Sequence, residues 1–212
     1  MKLKWLGHAC FLLTSADGVQ VLLDPFNEQV GYPLPEVEAD IVTISHGHGD
    51  HSHTAAVKGD FLVVEQPGRV AVRGVEISGI VSYHDRDFGS LRGKNIVFTF
   101  RLDGLAVCHL GDLGHLLSRS HLEQIGDVDL LLVPVGGRYT IGAAEALEVV
   151  RQIGPAVTIP MHFKTAVGGA ALDPVDRFLE LAGGGSRPGK CELDFDRDSL
   201  GDHAGVVVLE YA

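Results

Sequence analysis

The chain offers little cysteine chemistry. Its three cysteines, Cys10, Cys108 and Cys191, lie far apart and form no C-x-x-C pair, so neither a disulfide framework nor a thiolate zinc site is supported. Long apolar runs are also missing. No segment approaches the roughly 20 apolar residues needed to span a bilayer, so no membrane partner is expected. The opening M-K-L-K-W-L-G-H-A-C-F-L-L has the look of a signal peptide, but Gly7 and His8 interrupt its apolar part and no clear cleavage site follows. It reads as a strand, and the expected compartment is the cytoplasm. Basic charge is scarce: 17 Lys and Arg stand against 28 Asp and Glu, a net charge of −11. A nucleic-acid polymer is therefore a poor partner, and a small-molecule substrate is expected instead. There is no G-x-S-x-G elbow for a serine nucleophile, no short-period repeat and no linker of domain-boundary character.

What remains is a chain with 45% apolar residues and 27 glycines, enough core for one domain spanning 1–212, with many tight turns. The first half is rich in strands, at 3–6, 10–14, 19–23, 41–44, 61–64, 70–72 and 75–81. A turn at 16–18 makes a hairpin. Residues 25–38 form a loop with three prolines, and 54–57 a short helix. The second half alternates over 95–101, turns at 102–104 and continues into 105–110. Strands follow at 128–133, 156–161 and 205–211, with helices at 143–153 and 174–181. Gly142 stands at the N-cap of the first helix with Glu145 three residues on, a weakened capping box. Two sheets with helices outside them are the natural packing of an α/β (α+β) chain of this pattern.

The densest chemistry is S-H-G-H-G-D-H-S-H at 45–53, directly after an apolar strand. In extended chain, alternate residues point the same way, so His46 and His48 can meet one ion. Asp50 and His51 follow where the chain should turn into a helix, and reach a second point nearby. The spacing suits two adjacent metal ions. Other strand ends supply more donors: Asp24, His84, His109 with Asp112, and His162. His53 follows the pattern and reads as a surface histidine; His115, His121 and His203 read as surface or structural, and Cys108 as a small core residue.

H-G-H-G-D-H resembles the signature of the metallo-β-lactamase superfamily. W-L-G-H-A-C-F-L-L, V-L-L-D-P-F, H-L-G-D-L-G, P-V-G-G-R-Y-T-I-G and I-P-M-H-F-K-T stand in the order seen in its ascorbate-6-phosphate lactonase-like branch. The resemblance runs from Trp5 to Thr165 and implies a four-layer αββα sandwich. It implies that His46, His48 and His84 hold a first ion, that Asp50, His51 and His162 hold a second, and that Asp112 bridges or leans on the second. His109 is left over and reads as a support for the ligands, as does Asp24. His8 either borders the pocket or is a core or edge histidine. Arg138 and Tyr139 in the loop 136–142, and Lys164, stand where they can meet an anionic substrate or be solvated loop residues.

The expected reaction is hydrolysis of a small lactone or ester by metal-bound hydroxide, with Asp50 orienting the water. A phosphodiesterase on a small phosphodiester or nucleotide is the alternative, and a non-catalytic metal-binding module the second. Zinc is the default ion; manganese or iron also suits His and carboxylate donors. Specificity is expected from the loops 25–38 and 85–93, or from a neighbouring subunit if the chain forms a homo-oligomer.

Overall fold

The computed structural model describes residues 1–34 and 36–212; Pro35, in the proline loop, lies outside the described residues. The strands are β1 (Lys2–Gly7), β2 (Cys10–Thr14), β3 (Gln20–Leu23), β4 (Ile41–Thr43), β5 (Leu62–Val64), β6 (Gly68–Val72), β7 (Val75–Tyr83), β8 (Lys94–Leu102), β9 (Leu105–His109), β10 (Leu130–Pro134), β11 (Val157–Met161), β12 (Glu192–Asp194) and β13 (Gly205–Val206). They form a six-stranded sheet, β12-β1-β2-β3-β4-β5, and a seven-stranded sheet, β13-β11-β10-β9-β8-β7-β6. The α-helices are α1 (Arg119–Ile125), α2 (Ala143–Ile153) and α3 (Asp176–Ala182). Among the described residues, no helix is long and apolar enough to cross a membrane.

Side-chain alternation builds the layers. In the six-stranded sheet Leu3, Trp5, Phe11, Leu13, Val21, Leu23 and Ile41 enter the main core between the sheets. Leu12, Leu22 and Val42, one step out of phase, enter a second cluster on the opposite face with Phe26 and Tyr32. That outer face is covered by loop side chains and the 3-10 turn Glu28–Val30, while α1 packs against β7 and α2 against β10 of the other sheet. The two-sheet mixed α/β architecture is therefore present, with one helical layer reduced to loops and short turns.

The differences from the sequence reading have local causes. Residues 54–57 hold a 3-10 turn, Thr54–Ala56, with no side-chain cap. Asp50 and His51 sit in a hydrogen-bonded turn (His51 N to His48 O, 2.9 Å), not at a helix start. The strand expected over 205–211 stops at Val206, although Val207, Val208 and Leu209 remain buried. Helix α1 escapes a search for Glu or Gln at the third helical position because His121 takes that role, accepting from Ser118 N at 3.1 Å. Helix α2 keeps half of its capping box: Glu145 Oε2 accepts from Gly142 N at 3.3 Å, and Gly142 has no side chain to reciprocate.

The pairings give all site-bearing strands one direction. β1 and β3 are each antiparallel to β2, and β4 and β5 continue parallel to β3. β7 and β9 are each antiparallel to β8, and β10 and β11 continue parallel to β9. Their C-terminal ends share one edge of the sandwich, the usual place for a site in parallel sheets.

Candidate metal centre

Four strand ends on that edge deliver a histidine or aspartate side chain. His8 follows β1, Asp24 follows β3, His84 follows β7 and His162 follows β11, each as the first residue past its strand. Three of them leave the strand in the left-handed region, with φ of 52° at His8, 45° at Asp24 and 51° at His162. Such a conformation costs a non-glycine residue on the order of 1 kcal/mol or more and is typical of functional positions. Here it turns the backbone off the sheet as the side chain enters the cleft.

Among the described residues three donor groups result; one, Asp24 with His46 and His51, lies behind the cleft, and the other two share no residue. His46, His48 and His84 each offer one atom, all within 4.8 Å of one another. His8, His51 and His162 do the same. Asp112, 2% exposed, lies between these two groups. Its Oδ2 is 3.2 Å from His84 Nε2 and 3.3 Å from His162 Nε2, and its Oδ1 is 3.3 Å from His51 Nε2. Asp50 Oδ2 lies 3.4 Å from His8 Nε2 and 3.9 Å from His51 Nε2.

These atoms fit divalent ions. The Nε2 atoms of His8, His46 and His51 and Oδ1 of Asp112 are buried and have no hydrogen-bond partner. Buried polar groups are rarely left so, and a cation would engage all four. Burial, with His162 nearby, pushes the His8 pKa down to about 4, against an opposing pull from Asp50. Burial, with His51 nearby, pushes His46 down to about 3. Both rings are therefore neutral at pH 7 and present lone pairs, the form that binds metal. Burial works against the charge of Asp112, yet His162 and His51 hold its carboxyl well below the usual range.

Behind the donors stands a brace. Asp24, fully buried, accepts from Ser45 N (2.8 Å) and Ser45 Oγ (2.5 Å) and pairs with His51 Nδ1 (2.9 Å). It fixes both ends of the histidine loop and leaves His51 Nε2 facing the cleft. His109 is buried, with Nε2 2.9 Å from Ala9 O, and it belongs to none of the donor groups. Gly114 packs against the chain at His84 so closely that a Cβ would lie 2.4 Å from Asp85 N.

Beside His84 opens a cavity of about 460 Å³ that reaches Arg92, Arg138, Tyr139 and Asp173. The Arg92 and Arg138 guanidiniums lie 4.8 Å and 5.4 Å from the centroid of the Tyr139 ring. Arg92 escaped the sequence reading, which named only its loop. That loop is shaped by Asp85, whose carboxylate accepts from the backbone N–H groups of Asp87, Gly89, Leu91 and Arg92. An Asp followed by a Gly-rich turn was the available signal. Lys164 is not brought to this cavity: it is exposed and lines a separate one with Trp5, Asp176 and Arg187.

Comparison with known proteins places these features in context. A family profile for the β-lactamase superfamily domain matches residues 2–162. A UPF0173 metal-dependent hydrolase of Pelotomaculum thermopropionicum is 32% identical over 78% of this chain and 85% of its own. Another, from Methanopyrus kandleri, is 32% identical over 99% and 97%. A crystal structure from Thermotoga maritima, provisionally described as a Zn-dependent hydrolase of the metallo-β-lactamase superfamily, superposes with a TM-score of 0.84. It is 44% identical and covers 100% of this chain and 99% of that one.

Proposed function

The chain belongs to the metallo-β-lactamase superfamily, among the UPF0173 metal-dependent hydrolases, and from that premise we propose a dinuclear, cytoplasmic hydrolase of small lactones or esters. The observation that carries the dinuclear reading is Asp112. One carboxylate stands 3.2 Å from a histidine of the first donor group and 3.3 Å from one of the second, as a bridge between two ions would. His46, His48 and His84 would hold the first ion, and Asp50, His51 and His162 the second. When bound, two divalent ions would supply Lewis acidity toward a carbonyl oxygen and make a water acidic enough to react near pH 7. Zinc suits this donor set, as do manganese and iron.

The protein's own part is positional. A carboxylate oxygen of Asp50, which is partly solvent-accessible, accepts a hydrogen bond from the attacking water and orients it. Asp24 and Ser45 keep the histidine loop from shifting. Arg92 and Arg138, stacked on Tyr139, receive an anionic group of the substrate; among the described residues neither guanidinium has a carboxylate within ion-pair distance, in a chain with an excess of acids. This agrees with the lactonase-like branch that the sequence motifs resemble.

The test is elemental analysis on protein purified without chelators, followed by hydrolysis assays on lactone, ester and phosphodiester probes. About two ions per chain are expected, with fewer in His46→Ala and His162→Ala, and turnover lost in Asp50→Ala. Turnover of phosphodiesters alone would replace the substrate class. Two retained ions with no turnover of any probe would favour a non-catalytic module, and no bound ion after incubation with zinc or manganese would remove the reading altogether.

A further inference from the structure

His8 stands apart in sequence from the histidine signature, yet its ring lies against those of His51 and His162. Ring centroids are 4.2 Å apart for His8 and His162 and 4.9 Å for His8 and His51. We infer that His8 is an additional ligand of the second metal position, joining Asp50, His51, His162 and Asp112 as a fifth protein donor. This rests on the dinuclear reading above and goes beyond it, because the superfamily resemblance assigns His8 no such role.

Three observations carry it. First, His8 Nε2 is buried without a hydrogen-bond partner; Asp50 Oδ2 at 3.4 Å approaches it without hydrogen-bond alignment, a spacing that two ligands of one ion would share. Second, the nitrogens offered by His8, His51 and His162 lie within 4.8 Å of one another. Third, the backbone fixes the ring's position. The His8 carbonyl accepts from Trp5 Nε1 at 3.0 Å and from His162 N at 3.1 Å. The strand ends of β1 and β11 are thereby stitched together, and the two histidines cannot separate without breaking that link.

The consequence is an asymmetric pair of positions. The first has four protein donors, His46, His48, His84 and Asp112. The second has five, of mixed nitrogen and oxygen. Zinc in proteins favours four ligands in a tetrahedron, whereas octahedral and other higher-coordinate sets suit manganese or iron. The second position therefore selects an ion that takes five or six ligands, and the two positions differ in metal preference.

The experiment loads the full chain with Co²⁺ and follows stoichiometry, affinity by chelator competition and the d–d absorption. His8→Asn is the variant of choice, because asparagine tolerates the left-handed backbone and the two stitching bonds use only the His8 carbonyl. Wild type should take two ions. In His8→Asn the weaker ion should bind on the order of 100-fold less tightly, the tighter one should be unchanged, and the d–d band should intensify as a donor is lost. In Co²⁺-loaded wild type, proton NMR should show hyperfine-shifted exchangeable ring N–H signals from six histidines. Wild-type affinities and spectrum in folded His8→Asn, or signals from only five histidines, would overturn the assignment while leaving the dinuclear reading intact. Fewer than two ions in wild type would overturn both.

Discussion

The Asp24→Asn substitution tests how the site is braced. Asp24 has no contact with solvent and offers three charge-assisted acceptor contacts, one on Oδ1 and two on Oδ2. Asparagine keeps the shape and can still accept from Ser45 N. Its NH₂ group, placed where Oδ2 was, can donate to Ser45 Oγ but meets the N–H of His51 Nδ1 head on. Either that contact is lost or His51 changes tautomer, carrying its proton on Nε2 and ceasing to be a ligand. Loss of one hydrogen bond to a charged group costs about 1.5–3 kcal/mol. In a domain of this size that lowers Tm by roughly 3–12 °C, and a brace of this kind controls metal affinity by about 10–100-fold. Burial opposes the charge on Asp24, but the His51 hydrogen bond and the nearby His109 and His46 rings outweigh it and hold the carboxyl below its ordinary value. In metal-free protein its stabilisation is therefore fully present above about pH 4 and is lost as pH falls through the lower folded value. Urea melts of metal-free protein at pH 7 and in acid, with competition titrations for zinc, read all three quantities. Wild-type melts and zinc affinity in Asp24→Asn at pH 7 would refute the brace. So would a stability gap between the proteins that widens in acid.

Other expectations follow from the same geometry. Asp112→Ala should leave no more than one ion per chain and lower turnover at least 100-fold (about 2.7 kcal/mol in the barrier), read by elemental analysis and initial rates. Arg92→Gln and Arg138→Gln should raise KM for an anionic ester roughly tenfold with kcat little changed, and leave a neutral ester of the same size unaffected; equal effects on both esters would count against an anion contact. Gly114→Ala forces a Cβ into the backbone at Asp85, so a loss of about 1–3 kcal/mol and weaker metal binding are expected, measured by melts and metal competition. Burial raises the thiol pKa of Cys10 and Cys108, so at pH 8 both stay protonated. Only the partly exposed Cys191 should react quickly with a thiol reagent, and all three after unfolding.

The sequence made some of this legible because the signals were local. Apolar runs ending in His or Asp marked the strand ends, and H-G-H-G-D-H announced its chemistry within a few residues. Helix α2 was visible through its length and the Gly142–Glu145 pair. Helix α1 was not, because its cap uses His121 in place of an acid or amide. Strand β12 was not, because three residues carry no usable periodicity and its partner β1 is remote in sequence. At the site, His8 was left undecided, since nothing in W-L-G-H-A-C says that β1 ends opposite β11. Arg92 was missed because its position depends on four backbone N–H bonds to Asp85, a tertiary arrangement. Lys164 was overweighted because adjacency to His162 in sequence does not bring it to the same cavity.

The pairing of β12 with β1 bears on how the protein is made. Lys2 and Lys4 face Asp194 and Glu192 across that ladder, and the partner strand follows β1 by some 190 residues, so it leaves the ribosome well after it. Until then β1 presents an open edge, the kind of surface onto which other nascent chains can pair. Two lysines on that edge repel a second copy of the same strand, and the acidic residues that arrive late relieve the repulsion in the correct product. The same two charges thus guard the unfinished chain and help to close the finished one.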